Sequence, residues 1–338
     1  MKVLVTGASG FVGTAIVEQL LAGSCSTSIL LNSKKSDQTF RDASGISRIF
    51  YADIADYGSI EKLSGIGKID AVIHCAGLAH QFGNTVEADF WKINVEGTVN
   101  VAKLAIFSQA KHFILISSVA VYGKASDGNK IGKIKGISED TICQPEDSYS
   151  LSKLESEKAA QSICAENTIN LTILRPSTVI GENDPGNVSR LIKTIDENHF
   201  YWIGNGENLK SLVYKDDVAK ACLCVLNKRQ QKHSGEAEIF NVTAEALPMK
   251  EIVSEIHRHL PKKIPRLHIS PGFLKPVFLL NQKAFNIRSI NKLFGTVGKW
   301  LSDDVFSGEK IKKHYGFEAE TPVREAIRRE VESYKKLQ

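Results

Sequence analysis

Gly7, Gly10 and Gly13 follow directly on the short apolar run Lys2-Val-Leu-Val-Thr6, and an apolar helical pattern through Phe11, Val12, Ile16, Val17, Leu20 and Leu21 comes next. Strand, glycine-rich turn and helix in that order are what a dinucleotide-binding βαβ unit requires. Gly7 permits the tight turn. Gly10 lets backbone N–H groups approach a pyrophosphate at the helix N-terminus, and Gly13 lets helix and strand pack closely. The spacing is G-x-x-G-x-x-G rather than the G-x-G-x-x-G of the general fingerprint. A purely structural turn is the plain alternative, and the strand before and the helix after weigh against it.

The same alternation continues down the chain. Apolar strands read at 2–6, 27–31, 47–51, 70–74, 112–117 and 170–175, and helices at 11–22, 87–110 and 148–167, without repeats or low-complexity segments. The pattern predicts an α/β fold built on a doubly wound parallel sheet. After Pro176 the character changes: Gly181-Glu-Asn-Asp-Pro-Gly186 is a turn cluster, and a helix follows from about Val188. The segment Lys124–Ile142, rich in glycine, serine and lysine, reads as a loop over the site.

A second signal lies far from the first. Tyr149 and Lys153 stand four residues apart in Tyr-Ser-Leu-Ser-Lys, about one helical turn, so both side chains share a face. A free phenol, with a pKa of about 10, is a poor base at neutral pH. A nearby ammonium group favours the phenolate and brings the tyrosine within range of acid–base work. Alone, the pair arises often by chance on solvated helix faces; with the glycine turn upstream it becomes a candidate catalytic pair.

Taken together, Thr6-Gly7-Ala-Ser-Gly10-Phe-Val-Gly13, Asp53-Ile54, Ile73-His74-Cys-Ala-Gly77, Asn94-Val-Glu-Gly97-Thr98, Ser117-Ser118-Val-Ala-Val-Tyr-Gly123, Tyr149-x-x-x-Lys153 and Leu174-Arg175-Pro176 resemble the extended short-chain dehydrogenase/reductase superfamily. Within it the chain is similar to the nucleotide-sugar 4-epimerases and 4-ketoreductases of the NAD-dependent epimerase/dehydratase family. The motifs fall in the family's order over roughly the first 180 residues, and the likeness continues more loosely to the C-terminus. The resemblance implies a Rossmann domain from residues 1–176 plus about 212–243, with 177–211 and 244–338 forming a smaller α/β substrate lobe.

It also implies roles. Ser118 matches the family's catalytic serine, with Ser117 next door as the competing assignment. Tyr149 would exchange the proton on the sugar O4, and Lys153 would hold the nicotinamide ribose and bias Tyr149 toward phenolate. The cofactor would be held by Gly7, Ser9, Gly10, Phe11, Val12, Gly13, Asn32, Lys34, Lys35, Asp53, Ile54, Cys75, Ala76, Gly77, Asn94, Tyr149, Lys153 and Pro176, with Asp53 on the adenine. Asn94 would order the active site, its alternative being a helix-capping or surface asparagine. The substrate candidates are Ser118, with Thr178, Asn187, Lys210 and Arg288 in the second lobe. Lys210 stands where relatives usually have arginine, and a lysine lacks the bidentate fork. Asp304 or its neighbours align where some hexose epimerases place a bulky tyrosine against the sugar C2 substituent, which leaves room for an acetamido group.

The choice between NAD and NADP turns on the end of the second strand. An acid there binds the ribose 2′-OH, but Ile29-Leu-Leu-Asn32-Ser33-Lys34-Lys35 has none before Asp37. The segment leans to NADP. Dehydratases carry an Asp-Glu pair after the serine to eliminate water; here the pair is Val119-Ala120, so elimination lacks its acid–base groups. The leading function the resemblance implies is thus a nucleotide-sugar 4-epimerase acting on a UDP-(N-acetyl)hexose(amine) through a 4-keto sugar, in surface-polysaccharide synthesis. The alternatives are an NADPH-dependent 4-ketoreductase and an epimerase of a polyprenyl-diphosphate-linked sugar. A non-catalytic NAD(P)-binding regulator would be expected to have lost Tyr149 or Lys153.

Composition bounds the setting. The 338 residues, 42% hydrophobic and 24% charged, are those of an ordinary soluble chain of one or two domains. No run reaches the roughly 18 apolar residues of a membrane span, and Lys2 leads straight into a strand instead of a signal peptide. A cytoplasmic protein with reduced, packed cysteines is expected, so the Asn187 and Asn241 sequons carry no weight. No metal site is expected; His257 and His259, two apart on a helix, point in different directions. His74 reads as a core residue near the cofactor, and Tyr122 as structural. The net charge of +5 is uneven: Ile256–Ser302 has nine lysines and arginines and no acid. That stretch suggests an anionic ligand, or peripheral membrane contact through its interleaved apolar residues; no nucleic-acid partner is expected. By resemblance, helices 87–110 and 148–167 would pair across a homodimer.

Overall fold

The structure, a computed structural model, describes residues 1–23, 25–34, 40, 44–79, 86–123, 136–228, 236–262, 268–270, 272 and 301–338. The chain begins with β1 (Lys2–Thr6), α1 (Phe11–Ala22), β2 (Ser26–Leu31), β3 (Ile46–Tyr51), α2 (Tyr57–Glu61) and β4 (Ala71–His74). It continues through α3 (Glu87–Phe90), a π-helical turn at Trp91–Glu96, α4 (Gly97–Phe107), β5 (His112–Ile116), a 3-10 turn at Val119–Tyr122, α5 (Ser148–Glu166) and β6 (Asn170–Pro176). Then come β7 (Thr178–Ile180), α6 (Asn187–Asp196), β8 (Trp202–Ile203), β9 (Leu209–Tyr214), α7 (Lys215–Asn227), β10 (Glu238–Val242), β11 (Ala246–Pro248) and α8 (Met249–His259). β12 (His268–Ile269), α9 (Glu309–Tyr315) and α10 (Val323–Lys336) complete the described elements.

Seven strands form the large sheet in the order β10-β6-β5-β4-β1-β2-β3, every pair parallel. The expected doubly wound sheet is therefore present, with its switch point between β1 and β4, where such sheets bind ligands beyond the strands' carboxyl ends. Its central strands are buried on both faces: Val3, Leu4 and Val5 of β1, and Ile73 of β4, are fully covered. That is why they read as continuous apolar runs in the sequence. One core joins this sheet to α1 and α7, and another joins it to α4 and α5.

Two details differ from the sequence reading. The helix expected over 87–110 is three consecutive pieces, with a π-turn centred on Asn94, and it ends at Phe107. The strand near residue 212 does not enter the large sheet. β9 pairs with β7 and β11 in a separate three-stranded sheet, while α7 and β10 go to the large one. β7 begins one residue after β6, and the bend at Ser177 carries the chain out of the first sheet into the second. A third core, drawn from α6, α8 and α10, packs on this small sheet.

Candidate functional site

The glycine turn is as tight as its sequence suggests. Gly7 has φ +70°, and a Cβ there would stand 2.4 Å from the Ala76 backbone nitrogen; a Cβ at Gly13 would stand 2.0 Å from the Gly7 carbonyl oxygen. Neither position tolerates a side chain. Gly10 caps α1 without a side-chain hydrogen bond, so the helix N-terminus keeps its N–H groups toward the cleft. These residues fit a dinucleotide: the backbone forms a cradle that side chains would fill.

A cleft of about 470 Å³ opens above the carboxyl ends of β1, β4, β5 and β6. Gly10, Phe11, Val12 and Gly13 line its cofactor side, with Cys75, Gly77 and Pro176 at the strand ends; Ser118, Tyr149 and Lys153 stand among them, and Thr178, Asn187, Asp304 and Phe306 close the lobe side. Glycine turn and catalytic candidates, more than 100 residues apart in the chain, thus share one cavity. Gly7, Ser9, Ala76, Ile54 and Asn94 stand behind or beside it. Asn32, Lys34 and Asp53 are exposed just past the ends of β2 and β3. Lys35 and Arg288 lie outside the described residues, as do most of the basic stretch between 263 and 300 and the loop residues 124–135.

Asp147 caps α5 through the Ser150 N–H at 2.8 Å and so fixes where the helix starts, one residue before Tyr149. Ser118 caps the next 3-10 turn, its Oγ accepting from Ala120 N at 3.1 Å, and is hydrogen-bonded to Tyr149. Its competitor is turned away: Ser117 is buried and donates to Glu157. Only Ser118 of the two faces the tyrosine.

Burial raises the Tyr149 pKa, and the hydrogen bond from Ser118 opposes it only in part. The net direction is upward, against the depression expected from Lys153. Burial in turn lowers the Lys153 pKa, opposed by the charges of Cys75 and Glu157, and its Nζ donates to the Ile116 carbonyl oxygen at 2.7 Å. His74 is a core residue, bridging Thr6 Oγ1 at 2.7 Å and Thr98 Oγ1 at 3.0 Å; burial and then the Lys153 charge push its pKa down to about 3, so it is neutral.

Asn94 is neither cap nor surface residue. It is 2% exposed; its Oδ1 accepts from Leu78 N at 2.7 Å, and its Nδ2 donates to Leu78 O at 3.1 Å and to Ser152 Oγ at 2.8 Å. The π-turn widens the helix at this point and aims the amide at the segment after β4 and at α5; such turns recur at functional sites.

On the lobe side, Lys210 Nζ lies 2.5 Å from Asp304 Oδ2, and both line a small cavity of about 90 Å³ together with Thr178 and Asn187. Asp304 is pinned by backbone bonds to both neighbours of Lys210, Leu209 and Ser211. This pairing was not foreseen, because the segment around Asp304 carries no strand pattern. The Ser117–Glu157–Arg175 cluster was also missed; Glu157, four residues after Lys153, was the available signal.

Residues 3–243 match the model of the NAD dependent epimerase/dehydratase family. The chain is 29% identical over 295 residues to an N-acetyl-alpha-D-glucosaminyl-diphospho-ditrans,octacis-undecaprenol 4-epimerase of Escherichia coli O157:H7, covering 85% of this chain and 80% of that one. It is 31% identical over 210 residues to a UDP-glucose 4-epimerase of Vibrio cholerae, 58% and 57% of the two chains. Its fold is similar to that of a UDP-glucuronic acid 4-epimerase from Bacillus cereus in complex with NAD, with TM-score 0.76, 20% identity and 100% and 99% coverage.

Proposed function

The chain belongs to the NAD dependent epimerase/dehydratase family and is an enzyme of the extended short-chain dehydrogenase type, and from that premise we propose that it inverts C4 of a nucleotide-linked hexose or N-acetylhexosamine. The observation that carries the reading is the meeting of Ser118, Tyr149 and Lys153 in one cleft with the Gly10–Gly13 turn. Bound NAD would supply the hydride acceptor and donor for C4. Tyr149 exchanges the O4 proton, Ser118 holds that oxygen against Tyr149, and Lys153 supplies positive charge beneath them. Asn187 and Lys210 hold the diphosphate, and the absence of a bulky side chain at Asp304 leaves space for an acetamido group. Val119 and Ala120 offer no group for water elimination, which disfavours a dehydratase.

The lean to NADP finds no support: the family is NAD dependent by its description, and the B. cereus neighbour binds NAD. The tilt toward the reductase alternative drew on the same segment and falls back with it. A second reading keeps a specific observation, the E. coli relative whose substrate is a diphospho-undecaprenol sugar. The basic stretch 256–302 suits such a substrate, since each lysine or arginine near an anionic leaflet contributes about 1 kcal/mol. Among the described residues no helix is long and apolar enough to cross a membrane. The helices at 87–107 and 148–166 serve as the faces of a C2 dimer, which sedimentation at micromolar concentration tests.

The deciding experiment incubates the NAD-loaded protein with UDP-N-acetylglucosamine deuterated at C4, and separately with its polyprenyl-diphosphate counterpart. The expected product is the C4 epimer with deuterium retained and no net consumption of reduced cofactor. Net reduction of NAD with release of the 4-keto sugar, or no product from either donor, overturns the reading.

A further inference from the structure

Lys153 is only 8% exposed, and its ammonium reaches a carbonyl oxygen, that of Ile116 at 2.7 Å. One helical turn later on the same helix, a buried carboxylate is engaged elsewhere. Glu157 Oε1 accepts from Ser117 Oγ and from Arg175 Nε at 2.9 Å, and its Oε2 accepts from Arg175 Nη2 at 2.6 Å. Glu157 and Arg175 are each 3% exposed. Arg175 lies 4.9 Å from the centroid of the Tyr122 ring, whose hydroxyl donates 2.8 Å to Asn241 Oδ1. The Asn241 amide donates on to the carbonyls of Ile137 at 3.1 Å and Ser307 at 3.3 Å. A polar chain thus runs from the turn bearing Ser118 to the segment that presents Asp304 and Phe306 to the cleft.

Stability alone is a weak reason for such a cluster, because well-packed apolar residues often replace a buried ion pair without loss. We propose that Glu157 is a positioning residue of the proton-transfer site: by fixing Ser117 it sets the Ile116 carbonyl that holds Lys153 and the Ser118 hydroxyl that meets Tyr149. The inference rests on the functional reading only in taking those three as the reacting groups. Glu157 also acts by charge. The groups that bear on Lys153 are Glu157 from its own helix and His74 and Cys75 from the end of β4. His74 is neutral, and burial holds the Cys75 thiol at about 11 against the opposing pull of Lys153. Glu157, ion-paired with Arg175, is the carboxylate among them, and its charge favours the ammonium form of Lys153.

Two variants separate positioning from mere packing. Glu157→Gln leaves Arg175 buried without its counter-charge and should lose stability. The double variant Glu157→Met/Arg175→Met removes both charges and should regain it. In both, kcat should fall roughly 10–100-fold with KM little changed, as small misplacements of reacting groups cost. Removing the anion while Arg175 stays lowers the folded-state pKa of Lys153, so the alkaline limb of the kcat profile should move to lower pH in Glu157→Gln and move less in the double variant, which loses both charges. Hydrogen exchange of the backbone around Ser117, which needs no substrate, should quicken in the double variant despite its recovered Tm. A double variant with wild-type exchange, or one that recovers Tm and kcat together, overturns the proposal, as does an unmoved alkaline limb in Glu157→Gln. If Glu157→Gln fails to fold, the double variant decides alone. Activity of the unaltered protein tests the functional reading separately, and exchange still tests Glu157 if that reading fails.

Discussion

Replacing Asp304 by asparagine should strengthen the hold of the cleft on a diphosphate, although it deletes a salt bridge. Lys210 Nζ lies 2.5 Å from Asp304 Oδ2, with the lysine side chain 13% exposed and the aspartate 47%. Half of the carboxylate faces water, so the pair is worth about 0.2–1 kcal/mol. A diphosphate that takes Lys210 must first loosen this pair. Removing the carboxylate should therefore lower the Kd for UDP by about 1.4–5-fold. Lys210→Met deletes the cation itself; a hydrogen bond to a charged group is worth about 1.5–3 kcal/mol, so binding should weaken roughly 10–150-fold. The backbone bonds of Asp304 to Leu209 and Ser211 survive either change, which keeps the rim in place. Titration calorimetry of UDP into the NAD-loaded variants gives both numbers, and both effects should shrink at high salt. If Asp304→Asn weakens UDP binding, Asp304 holds the ligand itself; if Lys210→Met changes nothing, the diphosphate lies elsewhere. Either result refutes the assignment.

Tyr149→Phe removes the hydroxyl that meets Ser118 but leaves the ring edge-on to Phe90, 6.0 Å between centroids. It should cut kcat about 10²–10⁴-fold with NAD affinity unchanged, and more than about a tenth of wild-type turnover would sink the acid–base role. Gly13→Ala places a methyl 2.0 Å from the Gly7 carbonyl oxygen, whereas a Cβ at Gly10 meets that oxygen at 3.2 Å. The first should therefore cost about 1–3 kcal/mol by thermal melt, and the second should chiefly weaken NAD; equal loss of Tm in the two would show that Gly10 is structural. The wild-type protein should bind NAD more tightly than NADP by fluorescence titration, and Lys34→Glu should leave NAD binding nearly unchanged; the opposite preference would restore the reading first drawn from the Asn32–Lys35 segment.

What the sequence made legible is local. A glycine at φ +70° with no room for a Cβ leaves its mark in the residue itself, and strands buried on both faces leave theirs in continuous apolar runs. Tyr149 and Lys153 are legible for the same reason, because one helical turn fixes their relation whatever surrounds them. The features that failed to show are contacts between residues far apart in the chain. Lys210 and Asp304 are 94 positions apart, and neither residue type predicts the other. The departure of β9 to its own sheet depends on a bend after a single residue, Ser177, that propensity does not record. Asn94 stood out by resemblance alone, with a cap or surface asparagine as its alternative, and the π-turn around it shows which way its amide points. Glu157 is the most instructive of these. On a helix as polar as α5, with buried residues along one face only, a glutamate is taken for solvated, since acids are seldom fully buried unless paired. Its partner Arg175 arrives 18 residues later on a strand in which it is the only charged side chain. A charged residue interrupting a buried strand is itself a demand for a counter-charge, and the helix packed on that strand is where the counter-charge has to be. Reading Arg175 as such a demand leads to Glu157, and from Glu157 to the turn that carries Ser118.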